Sequence, residues 1–262
     1  MAFFVEGTVF GLIMFAIIVI LALLTLQKAK QGYVREVRTL PGIEGIREAI
    51  ARCAETGRPC FLTTGHGGGG LYTSRGPQHM AGIAILSLVA RLTARLGVDL
   101  VTTWPFPELL PVAEDTIYQA YLMEGKPEEV RPDMVRYLAG YALAFKMGYI
   151  GQLTRENAGA AIVTGAIWPS DALQMTEPGV LIGAIQIGGA PTMDTMSMLA
   201  LTCDYIFIGE ELFSAGAFAS EDPIQLGILF SSDIVKIGLI LLMIVGVLLT
   251  MMGTNISPIF DI

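Results

Sequence analysis

PCFLTTGHGGGGLYTSRGPQHMAGIAILSLVARLTARLGVDLVTTW, residues 59–104, decides the reading of the fold. It opens on a short apolar run, 59–64, that stops at glycines. A helical stretch follows at 77–96, with Pro77 at its first position and Gly97 just past its end. A second apolar run, 98–104, comes next. Two buried strands joined by a helix form a crossover unit, and such units build parallel sheets.

The alternation extends both ways. Upstream, residues 40–57 place Ile43, Ile46, Ala49, Ile50 and Cys53 on one helical face, with Gly57 as the stop. Downstream, the pattern predicts helices at 107–123 and 133–157, a strand at 158–167, a short helix at 170–176 and a strand at 180–187. A helix at 191–202, a strand at 205–208 and a helix at 210–217 complete it. Five strands, each apolar on both faces, imply a sheet covered on both sides. The expected class is α/β: a Rossmann-like three-layer domain with a mostly parallel five-stranded sheet.

The ends of the chain read differently. Of 262 residues, 53% are hydrophobic and 15% charged, thinner in charge than a typical soluble protein. Residues 8–26 carry no charge, and 234–252 carry Lys236 alone, near the start. At about 1.5 Å per residue each run matches a bilayer core of about 30 Å. The expected layout is a transmembrane helix in 1–27, an α/β domain in 28–232, and a second transmembrane helix with a short tail in 233–262. A cleaved signal peptide fits the first run less well. Its leading residues hold Glu6 and no Lys or Arg, and Lys28 and Lys30 follow where a cleavage site belongs.

Lys and Arg set the orientation. All 16 lie within 27–236, as do 22 of the 24 acids, Glu6 and Asp261 being the exceptions. The positive-inside rule puts the central domain in the cytoplasm and both termini outside. The central segment carries 16 − 22 = −6 charges, which argues against nucleic acid as a partner. Lys28, Lys30, Arg35 and Arg38 are expected to meet anionic lipid heads. Cys53, Cys60 and Cys203 lack CxxC spacing and read as free thiols.

Three strings carry a resemblance: AIARCAETGRPCFLTTG, LVTTWPFPELLPVAEDTIYQAYLMEGKPEEV, and GVLIGAIQIGGAPTMDTMSMLALTCDYIFIGEELFSAGAFASEDP. Together they resemble an uncharacterised family of prokaryotic membrane proteins with a central α/β domain of unknown function. The resemblance covers nearly all of residues 40–225. It implies the same topology and core, and with them the inner membrane of a prokaryote. It brings no activity, substrate or catalytic residue.

The candidate ligand site is the loop after the first strand. Gly65, Gly67 and Gly70 form GxGxxG around His66, Gly68 and Gly69. In dinucleotide folds such glycines let backbone N–H groups approach a pyrophosphate. Here the next helix starts about seven residues late, and Thr103 or Trp104 stands where an acid should end the second strand. A structural loop is the competing reading. Ser74, Arg75 and His79 are expected to line an anion site beside it, with Thr103 and Ser170 at neighbouring strand ends, Ser170 as an N-cap. Adjacent Glu114 and Asp115, like Glu210 and Glu211, point about 100° apart on a helix and make no acid–base dyad. No catalytic motif, metal-ligand set or cofactor is expected. Gly238 and Gly246 fall on one helical face and suit close helix packing rather than a pore.

Two functions remain open at this stage. One is a membrane-anchored homo-oligomeric scaffold of at least three copies, contacting lipid and other membrane proteins. The other is a small-ligand sensor or enzyme, for a nucleotide or anion, using residues 65–79.

Overall fold

The computed structural model describes residues 8–30, 40–220 and 223–251. The chain divides into two compact units, one comprising Val37–Ser220 and the other Met1–Glu36 with Glu221–Ile262.

The first of these is a six-stranded sheet. In chain order it contains α2 (Pro41–Thr56), β1 (Cys60–Thr63), α3 (Gly76–Leu96), β2 (Leu100–Trp104), α4 (Leu110–Met123), β3 (Val135–Tyr137), α5 (Ala142–Arg155), β4 (Ala160–Thr164), α6 (Pro169–Leu181), β5 (Ile185–Ala190), α7 (Met193–Leu199), β6 (Tyr205–Ile208) and α8 (Glu211–Ser220). The strand order is β3-β2-β1-β4-β5-β6, and every neighbouring pair is parallel. That is the doubly wound order, whose winding reverses between β1 and β4.

Alternation along each strand builds two cores. Cys60 and Leu62 of β1 face one side with Ile46, Leu86, Val89, Leu100, Trp104 and Ile162. Phe61 faces the other with Val101, Phe145, Tyr149, Val163 and Leu199. Helices α2, α3, α4 and α8 cover the first face, and α5, α6 and α7 the second. Both faces being buried explains why the central strands read as continuous apolar runs.

Three expectations are corrected. A sixth strand, β3, lies inside the segment expected to be helical from 133. Pro132 opens a single 3-10 turn there, Val135–Tyr137 then pairs with Thr102–Trp104, and helix begins at Ala142. The strand expected at 180–187 starts at Ile185, because α6 runs to Leu181 and turns through Gly183 in the left-handed region (φ 66°). Ser170 does not cap α6. The cap position is Trp168, with Pro169 at the first turn.

In the second unit, α1 (Thr8–Lys30) packs against α9 (Pro223–Met251). Both segments expected to span a membrane are thus helical over their described residues. Leu12, Phe15, Ile20, Leu23 and Leu24 of α1 are exposed, as are Ile237, Ile240, Leu241, Met243 and Val247 of α9. Among the described residues, one helix is long and apolar enough to cross a membrane by length and composition, and it is α3, 56% of whose most apolar window is buried. A shorter apolar stretch, Phe15–Thr25, lies in α1. Lys28 and Lys30 fall in the last turn of α1. Arg35, Arg38 and both chain ends lie outside the described residues.

Candidate functional site

The reversal of winding leaves β1 and β4 side by side with their loops departing in opposite senses, where open α/β sheets bind ligands. Here the chain's own backbone crosses that crevice. The Gly67 N–H donates to Ala166 O at 2.7 Å. A Cβ at Gly67 would stand 2.6 Å from the Ala166 carbonyl carbon, and one at Gly65 would run into the Ile167 side chain. Glycine is therefore required twice for close approach, and Gly65 also adopts φ 72°.

Two N–H groups of the glycine run and three at the start of α3 are engaged within the chain. Gly65 N–H donates to Thr63 Oγ1 at 3.2 Å, and Gly76 N–H to Thr73 O at 2.9 Å. Gln78 N–H and His79 N–H both donate to Arg75 O. The Gly65 and Gly67 donors are thus turned inward, away from any bound phosphate.

His79 anchors the loop from below. It is fully buried, with Nδ1 3.0 Å from Thr64 Oγ1 and Nε2 3.0 Å from Gly69 O. A carbonyl accepts and cannot donate, so Nε2 carries the hydrogen and Nδ1 accepts from the Thr64 hydroxyl. Burial holds the ring below the usual imidazole range, against the opposing pull of the Gly69 carbonyl. His66 lies higher, 2.7 Å from Gly140 O, with its ring tilted against Phe106 and Phe145.

Arg75 closes the outer side. Its guanidinium lies 4.1 Å from the centre of the Trp168 ring, a cation–π contact joining the loop to the start of α6. Its aliphatic stem fills the space where Gly68 would carry a Cβ. Gly70 abuts the carboxylate of Glu108, whose Oε1 is buried with no protein partner. Thr103 Oγ1 and Thr164 Oγ1, at the ends of β2 and β4, are buried and unpartnered too. The structure thus brings Gly65–Gly70, Arg75, His79 and Thr103 to one end of the sheet. Ser74 and Ser170 are exposed there, and the Ser170 hydroxyl reaches only Asp171 Oδ1, at 3.5 Å.

Several neighbours escaped the sequence reading. Trp168 and Glu108 belong to no motif. Lys146 of α5 and Asp171 of α6 form an ion pair at 2.8 Å, each side chain about 10% exposed. Its sequence signal was faint: Lys146 is the one charge between Arg136 and Arg155. A groove of about 530 Å³ lies elsewhere, between α4 and residues 130–135, lined by Glu114, Tyr118, Arg131 and Met134 among others. Burial pushes the Cys53 thiol up to about 11 and the Cys203 thiol up to about 12. Both thiols stay protonated at neutral pH, the unreactive form. Among the described residues no group of three or more His, Cys, Asp or Glu side chains could hold a metal ion.

The chain belongs to the family described as Domain of unknown function (DUF6754), which matches residues 1–259. No curated protein and no solved structure matches it.

Proposed function

We propose that this chain is a membrane-anchored, homo-oligomeric assembly protein. Helices α1 and α9 cross the inner membrane of a prokaryotic cell, and the α/β unit lies in the cytoplasm, associated in at least three copies. One observation carries the reading: over their described side chains both helices expose large apolar groups, against a single helical partner within their unit. In water that surface is unfavourable by about 25 cal/mol per Å², and lipid or further copies would cover it. The distribution of Lys and Arg supports the orientation.

Two measurements test it. Single cysteines at Phe3→Cys and Pro258→Cys should react with an impermeant reagent on intact cells. Protection of both would overturn the topology. Mass measurement in mild detergent should give three copies or more, and a folded monomer would remove the assembly role.

The second reading is a sensor for a small ligand, a nucleotide or an anion, at residues 65–79. It is favoured by the loop's position at the reversal of winding and by the Arg75 guanidinium beside it. Thermal stabilisation of the purified chain by nucleotides, lost in Arg75→Ala, would favour it over assembly.

A further inference from the structure

We propose that residues 65–75 form a strap that closes the crevice between β1 and β4 at neutral pH and is released by protonation of His79. The strap is held at four points. Gly67 N–H bonds Ala166 O, His66 Nε2 lies 2.7 Å from Gly140 O, Arg75 covers Trp168, and His79 ties Thr64 to Gly69 from beneath. Of its two imidazoles, that of His79 alone is fully buried. It couples both ends of the glycine run to the first turn of α3.

The neutral ring satisfies both contacts. The cation does not suit the place. It would sit with no solvent access in the first turn of a helix, where the backbone dipole repels positive charge. The Thr64 hydroxyl would have to turn from donor to acceptor. The charged and titratable groups facing the ring are His66, which opposes protonation, and Glu108, which favours it. Charged side chains of α2 and α4 are exposed, and Glu211 of α8 accepts from Ile208 N–H. Burial outweighs Glu108, so the closed strap holds the ring below its ordinary value of 6.5.

The sign follows. Closure is favoured fully above about 6.5, the value of a released, hydrated ring, and is progressively lost as pH falls through that value toward the lower closed-state one. Release also hydrates Glu108 Oε1, which lies against Gly70, buried without a protein partner. The strap is therefore a closed state opposed by a buried carboxylate oxygen and secured by a fully buried imidazole. This rests on the α/β unit alone and holds whether or not the chain assembles.

The chain contains two tryptophans, which makes the test optical. Trp104 is fully buried, whereas Trp168 is 43% exposed beneath Arg75. Acrylamide quenching of the full chain in detergent reports Trp168, with Trp168→Phe identifying its share. The expected result is a rise of about twofold in quenching between pH 7.5 and 5.0. It should persist in His66→Gln and vanish in His79→Gln, whichever position the strap then adopts. Flat quenching in the wild type overturns the proposal, as does a transition that survives His79→Gln. Should His79→Gln fail to fold, amide exchange on the wild type decides. After correction for intrinsic rates, Gly67 protection should drop at least tenfold at pH 5.0 while Phe61 and Ile162 keep theirs. Equal loss at all three, or none at Gly67, overturns it.

Discussion

Helices α3 and α1 are close in length and both rich in apolar residues, yet they live in opposite surroundings. In α3, Ile85, Leu86, Val89 and Ala90 are at most 1% exposed, packed between the sheet, α4 and α8. In α1, Phe15 is 69% and Leu12 56% exposed. Composition separates them only in part: both are mostly apolar, although α3 carries Arg91 and Arg95 and residues 8–26 carry no charge. The polar and small residues separate them. In α3, His79 and Thr93 turn inward to partners, and Gly82 lets the helix approach the Thr164 carbonyl. Gly11 of α1 has nothing within 4 Å of its would-be Cβ. Close approach at Gly82 marks α3 as a core helix. Helix α1, whose Gly11 meets nothing and whose large apolar side chains stay exposed, remains a candidate for lipid or for another copy.

The strongest way to break this comparison is to add volume at the two glycines. Gly82→Val should remove cooperative melting of the α/β unit. Its Cβ meets the Thr164 backbone and stands 2.6 Å from Thr64 Cγ2, and backbone in a central strand cannot yield cheaply. The expected cost is about 3 kcal/mol or more. Gly11→Val should leave melting followed by circular dichroism unchanged. A melt of Gly82→Val matching the wild type would show that α3 is less tightly docked than described.

Truncation gives the next effect. Leu86→Ala should destabilise by about 2–5 kcal/mol in a denaturant titration. Leu23→Ala in α1 should stay within about 0.5 kcal/mol for the same transition. Equal losses would mean that α1 contributes to the core of the α/β unit.

The smallest effect on stability sharpens the comparison at α9. Gly238 has nothing within 4 Å of its would-be Cβ in the single chain. If assembly uses this face, Gly238→Val should lower the mass measured in mild detergent and leave the melting temperature unchanged. An unaltered mass would move the subunit contact elsewhere.

Much of the fold was legible because the central strands carry bulk. Phe61, Leu62, Val101, Ile162 and Val163 announce β1, β2 and β4 directly. The edges were not legible. β3 is three residues long and half-exposed, so Val-Arg-Tyr carries no apolar run. In β5 the bulky residues sit in the wrong place: Val180 and Leu181 end a helix, while Gly188 and Gly189 form the strand. They leave room for Leu199, Cys203, Phe207 and Leu212, and a position made for neighbours' bulk has none of its own to read. At the site, the glycine loop was visible by spacing. Its enclosure was not, since Glu108 and Trp168 are brought to it by two different crossovers. Lys146 and Asp171 find each other across two helices, and 25 residues of separation leave no periodic trace.

The placement of β1 has a consequence for synthesis. Cys60 pairs with Leu100 on one side and Ala160 on the other. A chain emerging from the ribosome can assemble β1, β2 and β3 once Tyr137 is out. The second edge of β1 then stays open until Ala160 follows, a wait of roughly 1–5 seconds at about 5–20 residues per second. Throughout that interval CFLT, four residues buried in the finished sheet, presents an unpaired parallel edge to solvent. The nascent half-sheet is thus the form of this protein most exposed to mispairing. Translational pauses between codons 137 and 160 should lower the yield of folded chain, and pauses after 208 should not.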